Sequence, residues 1–158
     1  MPGFDLRIKA IKRRPIRMKM SMEDYSKNIV KKYKHWTALV HANQQYLGRC
    51  VIWCDREDAT DLSKATNDER DELFEIIREL KIAIEKTFQA DWINYSFLGN
   101  ETRHLHGHLV PRYKDERVFQ GTTFTDPRWG HNWLLDNSHA TSNEMLQSIK
   151  NEIIKNLQ

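Results

Sequence analysis

Three histidines at alternate positions constrain this chain more than any other feature of its 158 residues. They are His104, His106 and His108, in the stretch HLHGHLVPR. Successive side chains of a β-strand point to opposite faces, so the three imidazoles share one face while Leu105 and Gly107 point to the other. The pattern therefore predicts a two-faced strand that carries a row of titratable rings.

Such a row favours chemistry over packing. Core histidines in this number would leave several ring nitrogens in need of buried partners, which is costly. A His-x-His pair on a strand can bind a metal ion, but the Cα atoms of His104 and His108 are about 13 Å apart on a regular strand. Neutral imidazole is a nucleophile that titrates near neutral pH. We therefore predict nucleophilic and acid–base catalysis on a phosphate, with a histidine-based metal-binding protein as an alternative.

The flanking segments predict an α+β fold. Apolar and β-branched runs predict strands at residues 36–41, 49–54, 92–99 and 105–113. A short turn at residues 99–102 joins the last two strands into an antiparallel hairpin. Helical patterns cover about residues 21–34, 68–90 (with Asn67 as the cap) and 142–156, whereas residues 114–137 have no regular pattern. We expect an antiparallel sheet of about five strands with helices packed on one side.

The net charge of +3 is unevenly distributed along the chain. Residues 1–20 are strongly basic, and the remainder is mildly acidic. We interpret residues 1–20 as a disordered leader, although a basic segment can also contact nucleic acid or acidic lipid. Residues 21–158 are interpreted as one catalytic domain, without the roughly 18 consecutive apolar residues of a membrane span.

The two cysteines bear on the cellular compartment. Cys50 and Cys54 are four residues apart on a predicted strand, a separation of about 13 Å that is too long for a disulfide between them. A zinc-binding pair is the weaker alternative. Reduced thiols favour a cytoplasmic protein.

The histidine stretch is similar to the signature of the histidine triad (HIT) superfamily, His-φ-His-φ-His-φ-φ, in which φ is apolar and Gly107 is the departure. Three further stretches share the likeness. WTALVHANQQYLGRCVIWC resembles the family's nucleotide-binding hairpin, LSKATNDERDELFEIIREL its loop and long helix, and NYSFLGNETRHLHGHLVPRY a short-loop form of its catalytic hairpin. The likeness covers about residues 22–115 and implies a HIT-like fold, a nucleotide substrate and a homodimer.

The resemblance also implies the role of each histidine. His106 would attack the α-phosphate of a nucleotide and form a covalent nucleotidyl-histidine, which water then hydrolyses. His108 would contact the phosphate and the leaving group, and His104 would orient His106 through its backbone carbonyl. The implied substrates are dinucleoside polyphosphates or nucleoside phosphoramidates. No cofactor is required by the nucleophile, and Mg²⁺ can accompany a polyphosphate substrate.

Three substrate-binding candidates depart from the family pattern. Arg49 stands where many members have a fourth histidine; it can pair with phosphate but cannot relay a proton, and its alternative is a solvated charge at a strand edge. Asn100 stands where many members have a phosphate-binding glutamine. His41 stands where members often have a ribose-binding asparagine, and its alternative is a surface histidine. Arg49 and the shortened loop GNET, which stands where many relatives have a Gly-Gln-rich loop, keep open a second function, a nucleotide-binding or regulatory module with weak or lost catalysis.

Two further features have alternative interpretations. Gly107 predicts close packing against the opposite face of its strand, and Arg112 predicts either a phosphate contact or a structural ion pair. Trp129, His131 and Trp133, in the stretch FTDPRWGHNW, either cover a bound base or a dimer partner's site, or pack a late loop onto the core.

Overall fold

The computed structural model describes residues 22–157, so the basic segment 1–20 lies outside the described residues. One sheet contains five strands, β1 (Ile29–Lys32), β2 (Trp36–Val40), β3 (Cys50–Cys54), β4 (Trp92–Ser96) and β5 (His106–Arg112). All neighbours in it are antiparallel, in the order β1-β2-β3-β5-β4. Two helices, α1 (Asn67–Phe88) and α2 (Asn143–Asn156), complete the α+β fold that the sequence predicts.

The sheet has two chemically different faces because side chains alternate along each strand. On β3, Cys50, Ile52 and Cys54 are fully buried in the hydrophobic core. Between them, Val51 and Trp53 point to the other face and line a cleft. Pairing of β3 with β5 places Trp53 opposite His106 and Val51 opposite His108, so these side chains share the cleft face.

Both helices pack on the core face. The buried side of α1 carries apolar residues at helical spacing, namely Leu73, Ile76, Leu80, Ala83, Ile84 and Phe88. The shorter α2 lies beside α1, buries Leu146, and places Ile149 and Ile153 in the same core. This arrangement leaves the opposite face of the sheet for the cleft. Between residues 22 and 157, no helix is long and apolar enough to cross a membrane.

The predicted helix over residues 21–34 is wrong. The structure has a 3₁₀ helix at Met22–Asn28, followed by β1. Strand β1 pairs with the outer edge of β2, where Ile29 lies opposite Leu39. β-Branched residues fit a pleated surface well, and this pairing across the chain prevails over the local helical pattern.

Two other boundaries differ from the prediction. Helix α1 is capped by Thr66 and not by Asn67: the Thr66 hydroxyl accepts from the backbone N–H of Glu69, whose carboxylate accepts from the N–H of Thr66. The helix ends at Phe88, because Gln89 adopts the left-handed conformation.

Within residues 114–137, which lack a regular pattern in the sequence, the structure has a small antiparallel hairpin of β6 (Arg117–Phe119) and β7 (Thr122–Phe124).

Candidate active site

A cleft of about 540 Å³ opens on the sheet face opposite the helices. Its floor comes from β2, β3 and β5, and one wall is the connection between β4 and β5 at residues 98–102. The other wall is contributed by residues 132–137, which we call the C-terminal wall. Five of the six predicted site residues line this cleft, namely His41, Arg49, Asn100, His106 and His108.

His106 has a ring orientation that leaves one nitrogen free to react. Its Nδ1 lies 2.7 Å from the backbone carbonyl oxygen of His104. A carbonyl can only accept, so Nδ1 carries the proton and Nε2 keeps its lone pair. Burial lowers the pKa of His106, so the ring is neutral at neutral pH. A neutral imidazole with an available Nε2 lone pair can attack an electrophilic phosphorus.

His104 supports this arrangement from beside the cleft. It precedes β5 instead of lying within it, and its Nε2 donates to the backbone carbonyl of Cys54 at 2.6 Å. Its ring stacks on Trp53 with the centroids 4.2 Å apart and an interplanar angle of 14°. The Trp53 ring also lies 5.5 Å from the His106 ring. Trp53 thus contacts both histidines. We did not predict this role, although Arg49, Val51 and Trp53 are at alternate positions and therefore share one face of the strand.

Arg49 is buried beside two histidines, which excludes the alternative of a solvated charge. Only 2% of its surface is exposed. One terminal nitrogen lies 3.4 Å from His41 Nδ1, and the other lies 3.4 Å from His108 Nδ1. Its guanidinium also lies over the ring of Trp133, 5.1 Å from the centroid. Burial lowers the pKa of Arg49 to about 10, so the group stays charged near neutral pH.

Arg49 determines which nitrogens of His41 and His108 carry protons. A guanidinium has no acceptor, so the Nδ1 atoms facing it are the unprotonated ones. His41 Nδ1 also accepts from the backbone N–H of Asn43 at 3.0 Å. Burial first, and the charge of Arg49 second, lower the pKa of each ring to about 3. Both rings are therefore neutral and present Nε2–H as a donor.

The β4–β5 connection brings Asn100 to the cleft. The face of β5 that points away from the cleft has a close contact of its own. Asn100 and Glu101 both line the cleft from this wall. On the opposite face of β5, a Cβ at Gly107 would lie 2.5 Å from Cε1 of Phe97. The predicted close packing at Gly107 is thus confirmed. Because Gly107 has no side chain, the Phe97 ring packs directly against β5 between His106 and His108.

Only one of the three late aromatic residues lies at the cleft, on the C-terminal wall. Trp133 lines the cleft, 6.0 Å from the ring of His108, whereas neither Trp129 nor His131 is among the lining residues. Tyr46 holds the wall: its hydroxyl donates to the Leu134 carbonyl at 3.1 Å and accepts from the Leu134 N–H at 3.2 Å. Leu134 and Leu135 add an apolar surface to the cleft that the sequence pattern did not reveal.

Arg112 makes the structural ion pair and not a contact in the cleft. Its Nε donates to Asp126 at 2.7 Å, and their side chains are 4% and 0% exposed. It also donates to Asn94 Oδ1 and to the backbone carbonyls of Arg128 and His131. This network fastens the segment that leads into the C-terminal wall onto β5.

The described residues do not assemble a metal site. Between residues 22 and 157, no three His, Cys, Asp or Glu side chains lie where they could together hold a metal ion. Cys50 and Cys54 are both free and buried. Burial raises the pKa of the Cys50 thiol to about 12, so this thiol is not poised to become a metal-binding thiolate.

A five-stranded antiparallel sheet whose histidine strand lies along an open cleft is typical of the histidine triad class of proteins. Residues 23–115 match the family model for the HIT domain, and the chain belongs to that family. No curated protein matches the chain.

Solved structures show the same fold. A histidine triad protein from Sinorhizobium meliloti 1021 has a TM-score of 0.69 at 18% identity, over 82% of this chain and 89% of that one. One from Bradyrhizobium japonicum has a TM-score of 0.64 at 19% identity, over 87% and 93%. A hypothetical histidine triad nucleotide-binding protein from Sulfolobus tokodaii strain 7 has a TM-score of 0.64 at 14% identity, over 82% of each chain. At these identities the likeness concerns the fold alone.

Proposed function

We propose that this protein is a nucleotide hydrolase that cleaves at the α-phosphate of dinucleoside polyphosphates or nucleoside phosphoramidates. The observation that carries the proposal is the hydrogen bond from His106 Nδ1 to the His104 carbonyl, at 2.7 Å, which leaves Nε2 as a free nucleophile. The cleft has a volume of about 540 Å³, within the range of small-molecule sites. Membership of the HIT domain family is consistent with this activity.

The proposed reaction proceeds in two displacements. In the first, the Nε2 lone pair of His106 forms a bond to the α-phosphorus, and the bridging bond breaks with its electron pair on the leaving group. The resulting nucleotidyl-imidazolium is cationic, and the His104 carbonyl stabilises it by accepting from Nδ1. In the second, a water oxygen bonds to phosphorus, the P–N bond returns its electrons to Nε2, and the water's proton passes to solvent.

The neighbouring side chains have separate tasks in this scheme. His108 and His41 present Nε2–H donors to phosphate and ribose oxygens, and Asn100 adds an amide from the opposite wall. Leu39, Val51 and Leu134 offer the apolar surface for a base, for which we propose adenine. The histidines require no metal for this chemistry; Mg²⁺ would enter with a polyphosphate substrate, neutralising its charge.

The test is a panel of adenylated and guanylated anhydrides and phosphoramidates, followed by mass spectrometry of the quenched enzyme. We expect turnover and a nucleotidyl adduct on His106, with both lost in His106→Ala. His131→Ala is the matched control, because that histidine is exposed and its ring is not among the lining residues of the cleft. Turnover that survives in His106→Ala would exclude the covalent mechanism.

A nucleotide-binding module without catalysis is the second candidate, and the observation that favours it is Arg49. A buried guanidinium replaces a proton-carrying histidine at this point of the cleft. Calorimetric binding of AMP, together with no turnover of any compound in the panel, would favour this candidate. Detection of the His106 adduct during turnover would exclude it.

We also propose a homodimer that forms through β4. This strand is an edge of the sheet, since β5 is its neighbour on one side and the sheet order ends with it. Beside it lies an apolar groove that includes Phe74 and Tyr95, which are 67% and 43% exposed. Exposed edge strands and apolar patches favour association. Sedimentation velocity should give a dimer for the parent and a monomer for Tyr95→Lys, and a monomeric parent at all concentrations would contradict the proposal.

The free thiols support a cytoplasmic location, which is likewise a proposal. Cys50 and Cys54 are unpaired in the structure, as thiols are in a reducing compartment. Fractionation of cells that express the tagged chain would test it, and recovery in a secreted or membrane fraction would contradict it.

A further inference from the structure

The geometry points to Arg49 as the group that selects the leaving group. It binds an anionic leaving group and so favours phosphoric anhydrides over phosphoramidates. This inference rests on the proposed function, because it concerns the second half of the bond that His106 would break. It goes further by choosing between the two substrate classes and by assigning the choice to one residue.

The guanidinium of Arg49 forms no ion pair with an Asp or Glu among the described residues. Its side chain is 2% exposed, and each of its terminal nitrogens lies 3.4 Å from a histidine nitrogen. Its Nε is buried and makes no hydrogen bond in the described part of the chain. Burying a charge without a partner is costly. An anion in the cleft would supply the missing partner.

The other arginines of this chain provide an internal comparison. Arg112, which is 4% exposed, pairs with Asp126 and donates to three further oxygens. Arg56 pairs with Glu69 and Asp58. Both of these arginines are therefore neutralised by carboxylates. The surroundings of Arg49 are of a different kind, with imidazole acceptors and an aromatic ring.

The neighbours of Arg49 leave its charge available for a ligand. His41 and His108 face it with unprotonated nitrogens, so neither adds nor removes charge. Trp133 covers the guanidinium at 5.1 Å and is held in the C-terminal wall by the bonds between Tyr46 and Leu134. An apolar cover reduces access of water, and electrostatic attraction is stronger where water is excluded.

The position of Arg49 fits the leaving-group end of the reaction. Its direct contacts are with His108 and His41, and the ring of His108 lies 5.1 Å from that of His106. Arg49 therefore contacts His108, the histidine next to the nucleophile that would contact the leaving group. In an in-line displacement the leaving group departs on the side away from the nucleophile.

The chemistry of the two bonds separates the substrates. When an anhydride P–O bond breaks, the electron pair stays on a phosphate oxygen, and the guanidinium stabilises the negative charge that forms there. When a phosphoramidate P–N bond breaks, the leaving nitrogen must receive a proton to depart as an amine. A guanidinium that stays charged cannot give up a proton near neutral pH. Arg49 thus assists the first reaction and not the second.

The experiment measures kcat/KM for two substrates with the same adenylyl group, diadenosine triphosphate and adenosine 5′-phosphoramidate. We expect Arg49→Met to lose about 100-fold or more on the anhydride and to change little on the phosphoramidate. Arg49→Lys should retain more anhydride activity than the Met variant, since it keeps the charge. Arg49→His should shift the ratio towards the phosphoramidate. Arg78→Met, an exposed arginine on α1, is the matched control.

The possible outcomes separate this inference from the proposed function. Equal losses on both substrates in Arg49→Met, with the His106 adduct still formed, would overturn the selectivity of Arg49 and leave the hydrolase intact. No turnover of either substrate by the parent protein would overturn both. Should the Met variant fail to fold by circular dichroism, the ratio measured for the Lys and His variants decides. An unchanged ratio in both would overturn the inference.

Discussion

Substitution of Gly107 by alanine tests whether the contact beneath the histidine strand matters. The added Cβ would lie 2.5 Å from Cε1 and 2.6 Å from Cζ of Phe97. Ordinary carbon–carbon contacts are about 3.5–4.0 Å, so the ring must move by roughly 1 Å. Phe97 is packed against the core while only partly buried, which lets it move at a cost.

Two opposing contributions set the size of the effect. Inserting a methyl group into a packed site costs typically about 1–3 kcal/mol. Replacing glycine by alanine inside a strand recovers roughly 0.5–1 kcal/mol of backbone entropy. Gly107 is not among the glycines with positive φ, so backbone strain adds nothing. We therefore expect a net loss of about 1–2 kcal/mol, which lowers Tm by roughly 2–8 °C in a chain of this size.

Urea and thermal denaturation of four proteins measure this loss as a double-mutant cycle. The proteins are the parent, Gly107→Ala, Phe97→Leu and the double variant. Because leucine removes the ring atoms that the new Cβ would meet, Gly107→Ala should cost little in the Phe97→Leu background. A coupling energy of about 1 kcal/mol is expected between such contacting residues. If Gly107→Ala is as stable as the parent, or if the two effects simply add, the contact does not restrict this position.

Three other predictions follow from the site and its supports. Because burial lowers the pKa of His106, kcat/KM should stay constant as the pH falls through about 6.5 and decrease only at lower pH; a limb at or above pH 6.5 in the pH–rate profile would contradict this. Trp53→Leu removes the ring stacked on His104 at 4.2 Å and should lower kcat roughly 10-fold or more through misorientation, whereas an unchanged kcat in steady-state assays would show that the backbone carbonyls suffice. Arg112→Met leaves Asp126 buried without its partner and should cost about 3–5 kcal/mol in urea denaturation, while a loss below 1 kcal/mol would mean that the network relaxes freely.

Local patterns were sufficient for the elements that the side chains themselves dictate. Alternation in HLHGHLVPR predicts β5 and its two faces, and the apolar spacing of residues 68–90 predicts α1 to within two residues at its end. The first predicted helix failed because β1 depends on pairing with β2, and no local pattern encodes a partner strand. The hairpin of β6 and β7 was missed as well, because each strand has only three residues and lies among turn-forming residues.

The sequence predicts which residues form the candidate site better than it predicts what surrounds each of them. The alternating histidines and the likeness to the HIT superfamily together predict five residues that the structure brings into one cleft. The burial of Arg49 was not predictable, because Trp133 covers it from a segment far along the chain. The stacking of Trp53 on the histidines depends in turn on the alignment of β3 with β5.

The orientation of two histidines is supplied by the main chain. The His104 ring is fixed by the carbonyl of residue 54, and the His106 ring by the carbonyl of residue 104. Every amino acid provides such a carbonyl, so the side chain at position 54 is free to drift without removing the acceptor that fixes the His104 ring. What cannot drift is the alignment of β3 with β5, since a one-residue slip would reverse the faces of the strand. The reactive geometry of the two rings thus depends on a strand register more than on the side chains around it.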